Sequence, residues 1–203
     1  PLTSIKGYLQ TLEGDFKQGR LDQAGEFISV VQKNVDRLML LVNDLLDLSS
    51  LESGAALSQG QLDARELTEA VLKQVPMRDH QVRMHYSKTQ LQADGVRVEQ
   101  VVRNLLQNAA RYVPKGGQVE IFWEPLGASG CRLRVKDNGP GITLQHQARL
   151  FERFYRIDEA RSREVGGTGI GLSIVKHIMQ RHGGTVRLVS EPGQGAEFIC
   201  DFP

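Results

Sequence analysis

Residues 94–112 read DGVRVEQVVRNLLQNAARY, and the rest of the chain is organised around them. Asp94 has the makeup of a helix N-cap, a short carboxylate able to take the first free amides of the turn that follows. Val98, Val102, Leu105 and Ala109 then recur at spacings of one turn, which predicts a helix to about Tyr112 with this set as its core face. On a 100° wheel Arg97, Asn104, Asn108 and Arg111 share the adjacent arc, with Tyr112 just beside it. An amide oxygen can ligate a hard cation such as Mg²⁺, and a guanidinium one turn on can meet phosphates that such an ion bridges. A merely solvated helix face fits the same stripe, so its meaning depends on what the chain brings to it.

Downstream, Gln118–Glu124 and Cys131–Lys136 alternate as two strands around Pro125-Leu126-Gly127. The second ends on Asp137-Asn138-Gly139-Pro140-Gly141-Ile142. There a carboxylate stands as an acceptor-only group, suited to an amino group such as the exocyclic amine of adenine, beside glycines that let backbone approach closely. A tight turn in which Asp137 bonds its own backbone is the alternative. Helices are expected near 145–157 and 171–182. Phe151, Phe154 and Tyr155, with Arg153 and Arg156, fall in the first, where ordinary core packing is an equal account of the aromatics. The charge-rich stretch that follows has the composition of a mobile flap. Gly166-Gly167-Thr168-Gly169-Ile170-Gly171-Leu172 then feeds an apolar helix, an arrangement that binds anions at a helix N-terminus. It lacks the Gly-Lys-Ser/Thr ending of a P-loop and the entry strand of a Rossmann unit, and a flexible linker shares its composition. Thr185–Ser190 and Ala196–Phe202 close the chain as a hairpin around Pro192-Gly193-Gln194-Gly195.

Upstream, Gln81–Tyr86 and Leu91–Ala93 are strand candidates, and Asp63 with Glu66 opens a helix to about Val75. Before these the period changes. Leu2, Ile5, Leu9, Leu12 and Phe16, then Ile28, Val31, Val35, Leu38, Val42 and Leu45, run at alternating spacings of three and four around a break at Gly19-Arg20. A helix over residues 22–52 is about 45 Å long. Leu41 and Leu48 widen its apolar face beyond what one partner helix covers. Pairing with a second copy into a four-helix bundle would cover it; packing on the rest of its own chain is the alternative. The expected division is a helical hairpin over 1–54, a small, polar linker over 55–60 and an α+β domain over 61–203.

Composition sets the outer bounds. The 203 residues are 40% apolar and 24% charged, enough to bury a core. With 25 Lys and Arg against 24 Asp and Glu the net charge is +1, so bulk electrostatics give no reason to expect nucleic acid or an anionic membrane as the main partner. Only Cys131 and Cys200 occur, each in a strand-like run, which rules out a disulfide framework and favours a reducing compartment. No stretch reaches the roughly 18 apolar residues of a membrane span, and no signal peptide opens the chain. It begins without Met and in mid-pattern, as a fragment would. A cytoplasmic location is expected, with any membrane anchor upstream.

Four segments in order, Asn104–Tyr112, Asp137–Gly141, Leu150-Phe-Glu-Arg-Phe-Tyr-Arg156 and Gly167–Leu172, resemble the four ATP-binding boxes of the sensor histidine kinases of two-component signalling. Pro1-Leu-Thr-Ser-Ile-Lys-Gly-Tyr8 is similar to the segment that follows that family's phosphoacceptor histidine, so the resemblance covers essentially the whole chain. It implies the hairpin of a dimeric four-helix bundle followed by an α/β-sandwich ATP-binding domain of the histidine-kinase and Hsp90-like type.

By that resemblance Asn108 ligates Mg²⁺ and Asn104 supports the metal–phosphate cluster, while Arg111 and Arg156 approach the phosphates. Tyr112 stacks on adenine and Asp137 accepts from its amine, with Gly139 and Gly141 shaping the wall. Gly167, Thr168, Gly169 and Gly171 hold the flap against the triphosphate, and Leu172 opens the helix behind it. The implied reaction moves the γ-phosphoryl group of ATP to a histidine and then to an aspartate of a response regulator. The implied acceptor lies five residues before Pro1, so no catalytic histidine is expected among the five present. His80, His85, His146, His177 and His182 are expected to be surface or packing residues, and the fragment alone is not expected to phosphorylate itself. Phosphatase activity toward the regulator is neither indicated nor excluded. Two rival readings keep the nucleotide and change its use. One is a related-fold ATPase or serine kinase, the other a dimeric nucleotide-sensing scaffold without kinase activity.

Overall fold

The computed structural model describes residues 1–19, 22–54, 56–157 and 167–203. Two helices open it, α1 (Leu2–Lys17) and α2 (Ala24–Glu52), at the positions the three-and-four spacing predicts. They touch one another, as in the Tyr8–Phe27 ring contact, but neither hides its seam. No residue of α1 is buried, and only Leu48 and Leu51 of α2 are. Leu9, Phe16, Ile28, Val35, Met39, Val42, Leu45 and Leu46 all remain exposed. The last turns of α2 do pack on the remainder of the chain, so the expectation of self-packing holds for that end alone.

The α+β part runs β1 (Gln59–Asp63), α3 (Ala64–Gln74), β2 (Gln81–Tyr86), β3 (Gln90–Asp94) and α4 (Gly95–Tyr112). It continues β4 (Gln118–Leu126), β5 (Gly130–Asp137), α5 (Leu144–Gln147), α6 (Gly171–Arg181), β6 (Thr185–Ser190) and β7 (Ala196–Phe202). β1 and β3 form a small antiparallel ladder. The main sheet has the order β2-β4-β5-β7-β6, antiparallel except for β2 beside β4. Pro125 is tolerated in β4 because pairing with β2 ends at Trp123, beyond which a missing N–H costs no ladder bond.

Period-two alternation decides which face of the sheet is wet. Val119, Ile121, Trp123, Cys131, Leu133, Val135, Phe198, Cys200 and Phe202 turn inward against α3, α4 and α6, which contribute Val71, Val98, Val102, Leu105, Ile174 and Ile178. The opposite face carries ion pairs across the strands, Arg134 with Glu124 and Glu197, and Arg132 with Asp201. Both cysteines are free and buried, and desolvation pushes the Cys131 thiol up to about 11.

Two aspartates set the helix starts. Asp63 Oδ1 accepts from the Arg65 and Glu66 amides. Asp94 Oδ1 accepts from the Arg97 amide, while its Oδ2 takes the Ser58 amide and ties the inter-domain segment down. His182 packs at the same point: its Nε2 accepts from the Asp94 amide and its Nδ1 donates to the Ile178 carbonyl.

Two expectations change. The linker assigned to 55–60 already pairs as strand from Gln59, because β3 offers a free edge there. The helix expected over 145–157 ends at Gln147. Beyond it the amides of Arg149, Leu150 and Glu152 turn to carbonyls three residues back. The Phe154 amide bonds Gly169 instead of continuing a helix, and Phe154 itself has φ 63°.

A buried side-chain pair that holds α3 to the sheet is also a stability test. The Trp123 indole N–H donates to the Thr68 hydroxyl at 3.0 Å, which itself donates to the Ala64 carbonyl, and both side chains are fully buried. Thr68→Val should cost about 1–3 kcal/mol in chemical denaturation by orphaning the indole N–H. Thr68→Ser keeps the acceptor and should cost less; equal losses from both would contradict this role.

Candidate functional site

The stripe on α4 becomes a site because two distant stretches of glycine backbone close on it or on the residue that follows it. The Asn104 amide nitrogen donates to the Gln100 carbonyl within the helix, which turns Oδ1 toward the start of α6. A Cβ at Gly171 would lie 2.5 Å from that oxygen, so only glycine lets α6 begin there. Gly167 lies against the Arg111 guanidinium, where a Cβ would stand 3.2 Å from the nearest nitrogen. Gly139 packs on Val113, the residue after α4, at 3.5 Å by the same measure. Asn104, Arg111, Gly167 and Gly171 thus share one neighbourhood, and the Asp137–Gly141 loop borders it through Val113. Asn108, half-buried, lies one turn from Asn104 on the same face of α4.

Asp137 ends β5 with a defined pattern. Its Oδ1 accepts from the amides of Gly139 at 2.8 Å and Ala196 at 3.2 Å. Among the described residues no hydrogen bond reaches Oδ2, which remains an acceptor. Burial raises the carboxyl above its ordinary value, and the two amides hold that rise in check. The Asx-type bond to Gly139 is the one expected of a tight turn, so both readings of this motif describe the same geometry.

The loop after Asp137 is fixed by the β6–β7 turn. The Gly193 amide donates to the Pro140 carbonyl, and the Ile142 amide to the Ser190 hydroxyl. Gly141, at φ 70°, presses on the Glu191 carbonyl so closely that a Cβ would stand 1.9 Å from it. The closing glycine hairpin reads in the sequence only as a turn; its spacing carries no signal that it clamps the aspartate loop.

On the other side Thr168 donates its hydroxyl to Asp44 Oδ2 at 2.6 Å and accepts from the Ile170 amide. Gly169 accepts from Phe154, and Leu172 packs on the core. Asp44, on α2, carries no motif that would place it in this neighbourhood. Burial raises its carboxyl above the ordinary value; Asp47 adds to the rise, while the Thr168 hydroxyl and Arg111 oppose it.

Tyr112 is half exposed at the end of α4. Arg156 lies with its own segment, lining with Arg149, Glu152 and Tyr155 a pocket of about 500 Å³. The expected flap falls mainly on residues 158–166, and these, with Gly166 of the glycine run, lie outside the described residues. Among the described residues no cluster of three His, Cys, Asp or Glu could hold a metal ion. No helix there is long and apolar enough to cross a membrane.

Comparison with known proteins bears on both parts of the chain. Residues 1–54 match the His Kinase A (phospho-acceptor) domain, and residues 93–203 match the family of histidine kinase-, DNA gyrase B-, and HSP90-like ATPases. The phosphate regulon sensor protein PhoR of Pseudomonas aeruginosa is 34% identical over 215 residues; the match takes in all of this chain and 46% of PhoR. The chain therefore spans about half the length of that relative. The structure of Acinetobacter baumannii histidine kinase AdeS superposes with a TM-score of 0.80 at 26% identity, covering 100% of this chain and 94% of the other. That of full-length ShkA in complex with AMPPNP gives 0.75 at 27%, covering 100% and 45%.

The clamp on the aspartate loop can be separated from the mere cost of positive φ. Gly193→Ala, at φ 79° with open space around it, should cost about 1–2 kcal/mol. Gly141→Ala adds a backbone collision and should cost about 3 kcal/mol or more. Equal losses in denaturant titration would show that the loop does not close on Glu191.

Proposed function

Since the chain belongs to the sensor histidine kinases of two-component signalling, with both the phospho-acceptor hairpin and the ATPase domain, we propose that it binds Mg-ATP in the α4 cluster and serves as the kinase core of a longer protein. The γ-phosphoryl group goes to a histidine preceding Pro1 and from there to an aspartate of a response-regulator receiver domain. The observation that carries this reading is the closure of Gly167 and Gly171 on Arg111 and Asn104. It sets a run of backbone amides at the start of α6 beside a cation, which together can donate to a triphosphate, and beside an amide oxygen able to face the metal ion that accompanies it.

Each residue then has its part. Asp137 Oδ2 accepts from the adenine amine, the kind of charged acceptor that rejects a base lacking the N–H. Gly139 and Gly141 form the wall on which that base lies, and the half-exposed Tyr112 ring stacks against it. Asn104 and Arg111 meet the phosphates from α4. Thr168, Gly169 and the α6 amides meet them from the opposite side, with Leu172 fixing the helix to the core. Arg156 is assigned to the phosphates as well, its segment being joined to the glycine loop through the Phe154 amide.

Magnesium fits the donor set. The described residues form no carboxylate cage, and Asn108 would supply a neutral oxygen to an ion that arrives with the nucleotide. When bound it neutralises phosphate charge. The protein's own contribution is positioning and electrostatics, which dominate phosphoryl transfer.

Transfer needs the ATP-binding domain to move relative to the hairpin, and the stretch between the end of α2 and Ser58, where the chain is tied to Asp94, is its hinge. The hairpin forms a homodimer through residues 1–54. The exposed seam of Leu9, Phe16, Val35, Val42 and Leu45 supports this, since a second copy would remove that apolar surface from water. No nucleic-acid or membrane contact is assigned to this chain, and the domain works in the cytoplasm.

Nucleotide titration calorimetry on single variants tests the assignment. Asp137→Asn should weaken ATP binding about 10- to 100-fold, because a charged acceptor becomes an amide that can present a donor to an amine. Unchanged affinity would remove Asp137 from the adenine site. Asn108→Ala should weaken Mg-ATP about tenfold while leaving ATP in chelator nearly unchanged; equal losses would remove Asn108 as the metal ligand.

A further inference from the structure

The nucleotide reading leaves the contact between Thr168 and Asp44 unexplained. Asp44 is on α2, 124 residues from Thr168 in sequence, and it bonds the glycine loop itself, not the scaffold beneath it. Arg111, whose guanidinium packs against Gly167 in that loop, is the cation acting on the same carboxylate. Asp44 therefore presents an anionic oxygen to the hydroxyl and the cation that a triphosphate would use.

The contact is part of a continuous face. Asp44, Asp47, Leu48, Leu51 and Glu52 follow one another at helical spacing on α2. Asp47 accepts from Gln100 and pairs with Arg97, Leu48 and Leu51 are buried, the Leu51 carbonyl accepts from Arg181, and Glu52 pairs with Arg153. This face holds the ATP-binding domain in one orientation, with Asp44 at the end nearest the phosphate-binding loop.

We propose that Asp44 is a resident anion of the phosphate-binding loop, which the triphosphate must displace, so that nucleotide binding and docking of α2 oppose one another. The inference rests on the nucleotide assignment above and adds a regulatory coupling to it. Two anions cannot share the Thr168 hydroxyl and the Arg111 charge without repulsion. Because the coupling is reciprocal, whatever strengthens the grip of α2 weakens ATP binding by the same factor, and ATP loosens α2 equally. Asp47, next along the helix, adds negative charge to the same end and acts in the same direction. Movement of the hairpin upstream thereby reaches the nucleotide site without any change in the site's own residues.

Calorimetric titration of ATP, ADP and adenosine into the wild-type chain, Asp44→Asn and Asp44→Ala tests this. Both variants should bind ATP about 5- to 20-fold more tightly, ADP less so, and adenosine no differently from wild type. ATP affinity unchanged or weakened in the variants overturns the proposal, as does an equal gain for adenosine. Hydrogen exchange on the wild-type chain gives a second readout that needs no variant. Saturating ATP should raise exchange across residues 41–52, and protection left intact by bound ATP overturns the coupling. A wild-type chain that binds no ATP overturns the nucleotide assignment itself and the coupling with it; Asp44 at fault alone leaves wild-type ATP binding in place.

Discussion

Close approach of backbone to one helix is the constraint on which the molecule depends. The second half of α4 carries an amide, a second amide and a guanidinium on its outer arc. Segments from two distant parts of the chain meet it or its C-terminal end through residues without side chains. A methyl group at Gly171 would displace the Asn104 amide, one at Gly167 would press on the Arg111 guanidinium, and Gly139 rests on Val113. A binding site for a large polyanion requires many donors at short range, and backbone amides supply them without long, mobile side chains to order.

The sheet makes that closure stable. With Val119, Ile121, Trp123, Leu133 and Val135 packed under α3, α4 and α6, β5 delivers Asp137 to the edge of the helical layer at a fixed height. The β6–β7 turn then holds the loop from the far side. Gly195 presses on the Asp137 carbonyl and Gly141 on the Glu191 carbonyl. Asp137 is thus positioned by its neighbours and not by its own flexibility, as its proposed role of discriminating a base by one hydrogen bond requires.

Sequence periodicity identifies α4, Asp94 as its cap and Val98, Val102, Leu105 and Ala109 as its core face, because those signals are local. The two-helix hairpin and the strands flanking Asp137 are legible for the same reason. Elements decided by remote partners are not. The helix expected over 145–157 stops at Gln147, and by Phe154 the backbone bonds remote Gly169 instead of its own segment. Gln59 and Gly60 are strand because β3 lies alongside. The site follows the same rule: Asn104, Arg111, Gly167 and Gly171 are visible as motifs, whereas Asp44 sits in an ordinary helical stripe and gains its meaning only from Thr168.

The hairpin and the ATP-binding domain meet in one arrangement, in which α2 lies along the edge of the proposed nucleotide site while most of its apolar seam stays uncovered. That uncovered seam and the polar contacts at its end correspond to two different demands: a partner copy for the former, and a reversible hold on the domain for the latter. The most direct measurement is the change in backbone amide NMR shifts when Mg-ADP is added to the chain. The largest changes are predicted in residues 104–113, 137–142 and 167–172, with residues 81–86 and 120–124 nearly unmoved. Shifts confined to one of the three segments, or spread over the wet face of the sheet, would contradict a single nucleotide site built around α4.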